Sequence, residues 1–347
     1  MKTNLLQRKR LLTEESNRCY LCDAPVCTKA CKPGLDPGRL LRACKMDNLA
    51  GAILRAYRME ACKDCDGHPC EKACLRGRTD RALEAACWIA IGKADRVILA
   101  GDHHQLPPTI KCIEAARGGL DHTLMQKITD QKPETVSLLK TQYRMNESIM
   151  RFPSRWFYRD ELQSAPEVKH RGILEFDTPV VWLDTADCHF EEDQLTDSMS
   201  RINKDEATLL VSTLQKYIEK IGKERVLDES IDFGLISPYK SQVQYIRGLV
   251  KRNVFFKPFR RLITVHTVDG FQGQERDVIM ISLVRANDKG RIGFLGDLRR
   301  MNVAITRARM KLMILGDAPT LTRHAFYKEL YEYIRENGQV VSTFNSP

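Results

Sequence analysis

Between residues 265 and 309 the chain gathers groups suited to holding anionic oxygen. The run Asp269-Gly270-Phe271-Gln272-Gly273-Gln274-Glu275 offers two glycines, two amides and two carboxylates, and Asn302, Thr306, Arg307 and Arg309 follow. Glycine lets backbone approach a ligand closely, and arginine forks match phosphate or carboxylate oxygens. At helical spacing Asn302 and Thr306 share a face, while Arg307 and Arg309 point elsewhere. Taken alone, 306–309 reads better as a solvated basic helix. A second concentration is of thiols. Cys19-x2-Cys22-x4-Cys27-x3-Cys31 is followed by Cys62-x2-Cys65-x4-Cys70-x3-Cys74, with the same intervals. Thiolates so spaced can converge on a soft metal. Paired [4Fe–4S] clusters, two structural zinc sites and disulfides all remain open. Cys44 breaks the repeat on a predicted helix over 38–46, where packing is its expected role.

The elements that must position these groups are legible around them. Apolar runs at 262–268 and 278–284 flank the glycine-bearing loop and read as buried parallel strands. The loop then lies at a strand end, where parallel sheets place ligands. Further strands are expected at 96–100, 135–139, 173–176, 180–183, 233–237 and 311–315. Helices are expected at 120–128, 204–221, 241–250 and 324–337. The helix over 204–221 puts Ala207, Leu210, Val211, Leu214, Tyr217, Ile218 and Ile221 on one face. Strands alternating with helices imply a parallel sheet covered on both sides. The acidic stretch 191–200 reads as a mobile loop.

Composition adds bounds. With 347 residues, two or three domains are expected. A net charge of +10 favours polyanionic partners. No apolar run approaches the roughly 20 residues needed to cross a bilayer, so no membrane partner is expected. The basic N-terminus lacks a long apolar segment of the secretory kind. A cytoplasmic setting is the default, and it disfavours disulfides. Nine of the twelve cysteines fall between 19 and 74, which divides a cysteine-dense head from an ordinary α/β body.

Thr267-Val268-Asp269-Gly270-Phe271-Gln272-Gly273-Gln274-Glu275, followed by Asn302-Val303-Ala304-Ile305-Thr306-Arg307-Ala308-Arg309, strongly resembles motifs V and VI of superfamily 1 helicases, in the branch of the nonsense-mediated-decay helicase. Gly101-Asp102-His103-His104-Gln105-Leu106-Pro107-Pro108 is similar to motif III. Gln142-Tyr143-Arg144-Met145 and Ser237-Pro238-Tyr239-Lys240-Ser241-Gln242 resemble motifs IV and IVa. The resemblance runs from about 82 to 335. It implies an ATP-dependent motor on single-stranded DNA or RNA. Gln105, Arg144, Glu275 and Arg307 would then be catalytic. Tyr143, Gln272, Gly273 and Arg309 would line the nucleotide, and Pro238, Tyr239, Gln242 and Thr267 would touch nucleic acid. Each of the last four has a bland rival in capping or packing. The basic cluster Lys251, Arg252, Lys257, Arg260 and Arg261 could add charge or simply face solvent.

Two parts of that pattern are missing. The chain contains no Gly-x-x-x-x-Gly-Lys-Ser/Thr phosphate loop, which would supply backbone N–H groups, the phosphate lysine and the Mg²⁺ hydroxyl. The acidic pair that precedes the helix-like segment 82–94 in the family falls here on Gly77 and Arg78. ATP and Mg²⁺ are therefore expected only where a partner supplies the loop, and the isolated chain is expected to lack ATPase activity. A mis-joined reading frame near 75–85 accounts for such a junction more simply than a designed redox motor.

Residues 16–80 resemble the N-terminal iron–sulfur domain of dihydropyrimidine dehydrogenase, through Arg18-Cys19-Tyr20-Leu21-Cys22 and its counterpart at 62–74. That resemblance implies two [4Fe–4S] clusters on Cys19, Cys22, Cys27, Cys31, Cys62, Cys65, Cys70 and Cys74, and a flavoprotein partner, since no GxGxxG turn is present. The expected organisation is thus an all-α ferredoxin-like domain at 1–79, a remnant of a first RecA-like motor domain at 80–160, and a second at 161–347. The last is an α/β domain with a parallel sheet and flanking helices. Three functions stay in view: a helicase-like motor fragment, an iron–sulfur electron-transfer module with an inert passenger, and a non-catalytic single-strand-binding module.

Overall fold

The computed structural model describes residues 19, 22, 25–46, 48–57, 65, 69–74, 96–107, 123–194 and 200–343. They fall into two compact units, one of residues 1–103 and 107–136, the other of residues 104–106 and 137–347.

The α-helices described in the first unit are α1 (Val26–Lys29), α2 (Pro37–Lys45), α3 (Leu49–Tyr57), α4 (Pro69–Lys72) and α5 (Leu124–Gln131). Asp36 starts α2 by accepting the Arg39 N–H at 2.9 Å, with Pro37 at the first helical position. Leu40 and Ala43 pack on Ala52 of α3, and Cys44 joins them as expected. Burial pushes the Cys44 thiol up. The helix expected at 120–128 starts later, at Leu124, where the Thr123 hydroxyl accepts the Gln126 N–H. Residues 96–100 pair with no strand among the described residues, and Ile98 is 93% exposed. The segment 82–94 and the junction at 75–85 lie outside the described residues, as do Cys62, Cys87 and Cys112.

The second unit runs β1 (Thr141–Gln142), α6 (Glu147–Phe157), β2 (Gln163–Ser164), β3 (Val180–Asp184), β4 (Asp193–Gln194), β5 (Arg201–Ile202), α7 (Lys204–Ile221), β6 (Phe233–Ser237), α8 (Lys240–Arg252), β7 (Ile263–Thr267), α9 (Val268–Phe271), β8 (Arg276–Ser282), α10 (Leu298–Ile305), β9 (Ala308–Gly316), α11 (Ala325–Asn337) and β10 (Gln339–Ser342). Six strands form one parallel sheet in the order β10-β3-β9-β8-β6-β7. The α/β parallel sheet with flanking helices matches the expectation.

Strand alternation explains why the centres of β8 and β9 are apolar on both faces. Ile279, Ile281, Leu312 and Ile314 enter one core with Trp182, Phe152 and Phe326. Val278, Met280, Met313 and Leu315 enter the opposite core with Leu210, Leu214, Leu235 and Ile246. All seven residues expected on the inner face of α7 are buried. Lys311 sits within this apolar strand because its ammonium reaches the Thr178 carbonyl and the Asp177 carboxylate.

Four expectations are corrected. Residues 173–176 form a turn that pairs with no strand among the described residues, with Phe176 at φ 61° and fully exposed. Residues 135–139 follow a short 3₁₀ turn and join no sheet. Arg309 lies on β9, because the helix carrying Asn302 ends at Ile305. The acidic stretch is tied down in part: β4 pairs with β5, and Glu192 is buried among arginines, while 195–199 lie outside the described residues.

Candidate functional site

The sheet presents two chemically different ends. At the amino ends of β8 and β9 stand Glu275 and Arg307, each one residue before its strand. Arg144 reaches them from the turn before α6. Gln142 builds that turn: its Oε1 accepts the N–H groups of Arg144 and Met145 at 2.8 and 2.7 Å. Its Nε2 donates to the Met145 carbonyl and the Ser164 hydroxyl. Tyr143 is thereby turned outward and is 67% exposed.

Arg144 Nε pairs with Glu275 Oε2, and its Nη1 donates to the Thr306 carbonyl at 3.0 Å. Burial pushes the Glu275 carboxyl up, but the hydrogen bond and charge of Arg144, with Arg309 and Arg307 behind it, hold it below its usual range. Arg307 is buried. It donates to the carbonyls of Val303 and Gln274, both at 3.1 Å, and its Nη2 lies 3.4 Å from Gln105 Oε1. Four residues assigned to catalysis from sequence, namely Gln105, Arg144, Glu275 and Arg307, are therefore brought together.

The nucleotide-lining assignments divide. Gly273 has φ +82°, which only glycine adopts without strain, and open space where a side chain would stand. Gln272 donates to the Leu106 carbonyl at 3.3 Å. Arg309 is placed differently. Its guanidinium lies 3.2 Å from Asp232, 3.1 Å from Asp277 and 4.0 Å from Glu275. Asp232 and Asp277 also receive each other's N–H groups. Three carboxylates already neutralise Arg309, so it fastens the strand starts together. Burial pushes the Asp277 carboxyl up, with the Asp232 charge adding to it and Arg309 opposing.

The nucleic-acid candidates lie at the carboxyl ends of β6 and β7. Thr267 and Pro238 are half-buried there. Tyr239 is buried, and its hydroxyl accepts from Arg285 Nη1 at 3.4 Å. Gln242 is fully buried. Its amide donates to the Asn203 carbonyl and the Ser282 hydroxyl, and its Oε1 accepts the Asn203 N–H, each at 2.9 Å. These bonds commit Gln242 to the interior.

A buried network at this end escaped sequence reasoning. Glu206 is fully buried. Its Oε1 accepts from the Ser282 hydroxyl at 2.6 Å and the Val284 N–H at 2.9 Å, while Oε2 has no hydrogen-bond partner. Burial pushes its carboxyl up to about 7 against the pull of those two donors. Val284 holds φ 71°, a strained value for a β-branched residue. Arg285, next in sequence, is buried against Glu192 at 2.6 Å. Asn203 and Glu206 have capping-box spacing, and Asn203 Oδ1 does accept the Glu206 N–H. The reciprocal half is broken: Gln242 satisfies the Asn203 N–H, which frees the Glu206 carboxylate for β8. A surplus acid beside an apolar face was the available signal.

In the head, Cys19, Cys22, Cys27, Cys31, Cys65, Cys70 and Cys74 are half-buried. Burial pushes the Cys27 thiol up, and negative charge on Cys74 and Cys19 would raise it further; α1 and α4, one from each repeat, lie against each other. Among the described residues no group of three or more His, Cys, Asp or Glu side chains is placed to hold a metal. No helix among them is long and apolar enough to cross a membrane.

An AAA domain family matches residues 120–319, and a second AAA domain family matches residues 80–112. DNA-binding protein SMUBP-2 of Rattus norvegicus is 36% identical over 274 residues, covering 76% of this chain and 26% of that protein. DNA polymerase alpha-associated DNA helicase A of Saccharomyces cerevisiae is 35% identical over 286 residues, covering 75% and 40%. ATP-dependent helicase NAM7 of the same yeast is 34% identical over 282 residues, covering 77% and 27%. The chain spans between about a quarter and two-fifths of these relatives' length.

Proposed function

Because the chain belongs to the AAA-domain family of superfamily 1 helicases, we propose that it is the nucleic-acid-tracking portion of an ATP-dependent helicase motor and turns over no ATP alone. The observation carrying this reading is the convergence of Arg144, Arg307, Gln105 and Glu275 at the amino ends of β8 and β9. Two guanidiniums held by carbonyls and one carboxylate form a preorganised cationic pair. Such arginines stabilise charge on a transferring phosphoryl group and contribute about 10³–10⁵ in rate. Bound ATP with Mg²⁺ supplies that group. In this chain Glu275 balances Arg144 until an anion takes its place, and Gln105 is held on Arg307. Gln272 and Gly273 belong to the loop that begins after Thr267, the last residue of β7.

Missing from the sequence are the phosphate loop and the Mg²⁺ carboxylates, so hydrolysis needs a partner that provides them. A single strand of DNA or RNA is the partner for the other end, bound chiefly through backbone phosphates. The test is phosphate release by the purified chain with and without single-stranded DNA or RNA, alongside binding of the same strands. Salt-sensitive binding without stimulated release is expected. DNA-stimulated release well above the protein-free rate would overturn the inactive reading.

A second reading concerns the head. The half-buried thiols and the contact of α1 with α4, which brings parts of the two repeats together, support a thiolate-held metal module drawing on both repeats. The donor chemistry fits iron–sulfur clusters or zinc. An iron–sulfur cluster would supply one-electron transfer, with a flavoprotein as its partner. Lys45 and Arg42 tie the carbonyls of Cys19 and Cys22 to α2, which would hold those ligands in place. Iron and zinc analysis of anaerobically purified protein tests it. A broad visible absorbance band with bound iron selects the clusters, zinc alone selects the structural sites, and neither metal removes the reading.

A further inference from the structure

The carboxyl end of the sheet carries an aromatic ring that the family motifs do not account for. The segment between β8 and α10 turns at Val284, sends Arg285 inward to Tyr239, and returns through a 3₁₀ turn at Gly293–Gly296. Gly293 takes φ +57°. A side chain there would begin 2.4 Å from Arg285 Nη1 and 3.1 Å from the Tyr239 hydroxyl. The turn is therefore pressed flat on that pair. Leu295 is driven into the core, at 1% exposure, while its neighbour Phe294 is left 49% exposed.

Phe294 is not loosely placed. Its ring centroid lies 5.7 Å from that of the buried Tyr239, with the planes at 49°. The Arg300 guanidinium carbon stands 5.9 Å from the same centroid, within cation–π range. Asp297 orients both neighbouring guanidiniums, at 2.9 Å from Arg299 and 3.3 Å from Arg300. An outward aromatic backed by a fixed ring and flanked by guanidiniums is how sequence-tolerant strand binders hold a base. Duplex bases hide their π faces in the stack, so the chemistry selects a single strand.

We propose that Phe294 is a stacking platform for one nucleobase of single-stranded nucleic acid, with Arg300 at the adjoining phosphate. The proposal rests on the nucleic-acid-binding reading above and adds a contact to it. Stacking releases no counterions, whereas an arginine on a phosphate does. The two residues therefore leave different signatures in salt dependence.

The experiment is fluorescence anisotropy of a labelled oligodeoxythymidine titrated with the full chain at several salt concentrations. F294A, and F294L as a variant that keeps the apolar contact with Tyr239, should each weaken binding about 5- to 150-fold. Their slope of log affinity against log salt should equal the parent's. R300A should reduce that slope by about one. F294W should retain affinity and show quenching on oligonucleotide addition beyond that of the parent's own tryptophans. If the parent binds and both F294A and F294L bind as it does, or F294W shows no added quenching, the platform is refuted. If the parent itself fails to bind, the broader nucleic-acid reading falls first.

Discussion

Replacing Glu206 by glutamine removes one ionisable group while nearly preserving shape. The Oε1 atom still accepts from Ser282 and Val284, and the new NH₂ stands where the unpartnered oxygen was. Burial raises the Glu206 carboxyl from 4.5 to about 7 in the folded chain. The folded state therefore holds the proton more tightly than the unfolded one. For this group stability is greatest below pH 4.5, falls as pH rises through 7, and is lowest above it. At 1.36 kcal/mol per pKa unit the whole effect is about 3 kcal/mol, of which about 2–3 kcal/mol is traversed between pH 5 and 8. E206Q cannot ionise, so its stability relative to the parent should swing in its favour by that amount over the same range. The assay is urea unfolding followed by intrinsic fluorescence, which the fully buried Trp182 reports from the sheet. Carboxylates common to both proteins cancel in the difference. A gap between the two curves that stays constant from pH 5 to 8 would refute the reasoning.

R309A leaves Asp277 and Asp232 without their shared cation. It should cost about 2 kcal/mol at pH 8, below the figure for a fully buried pair, and less near pH 4, where protonation relieves Asp277; thermal melts at both pH values check this. G234A would place a methyl 2.5 Å from Ile279 Cδ1 and 2.9 Å from Phe271 Cε1. It should lower stability by about 1–3 kcal/mol through overpacking, read from the urea midpoint. K311M strips Asp177 of its buried partner while Tyr217 and Lys220 remain on it. A loss of about 1–2 kcal/mol is expected, and a melting temperature equal to the parent's would contradict the pairing.

The sheet was legible because its central strands are buried on both faces. Runs such as 233–237 and 278–284 are short, largely apolar stretches bounded by turn residues, as strands of a covered parallel sheet are. Helix α7 declared its inner face residue by residue. What failed were segments with the composition of strands, residues 96–100 and 173–176, that pair with no strand among the described residues. The cluster of Arg144, Glu275 and Arg307 could be assembled from motifs, since each carries a charge at a recognisable position. Arg309 could not be placed, because Asp232 and Asp277 look like ordinary strand-flanking acids until the sheet brings their strand starts side by side. Glu206 was hidden by its resemblance to a helix-capping residue, and Phe294 by lying in a turn whose geometry depends on Gly293 and Tyr239.

The order of strands has a consequence for biogenesis. Strand β3, Val180 to Asp184, lies between β9 and β10 and touches no strand made before it. Its first partner begins at Ala308, about 120 residues later. At about 5–20 residues per second of translation, the Val-Val-Trp-Leu segment waits about 6–25 s with both edges unpaired. Such a segment invites pairing with other nascent chains, so the ribosome-bound protein should be most dependent on chaperones during that interval.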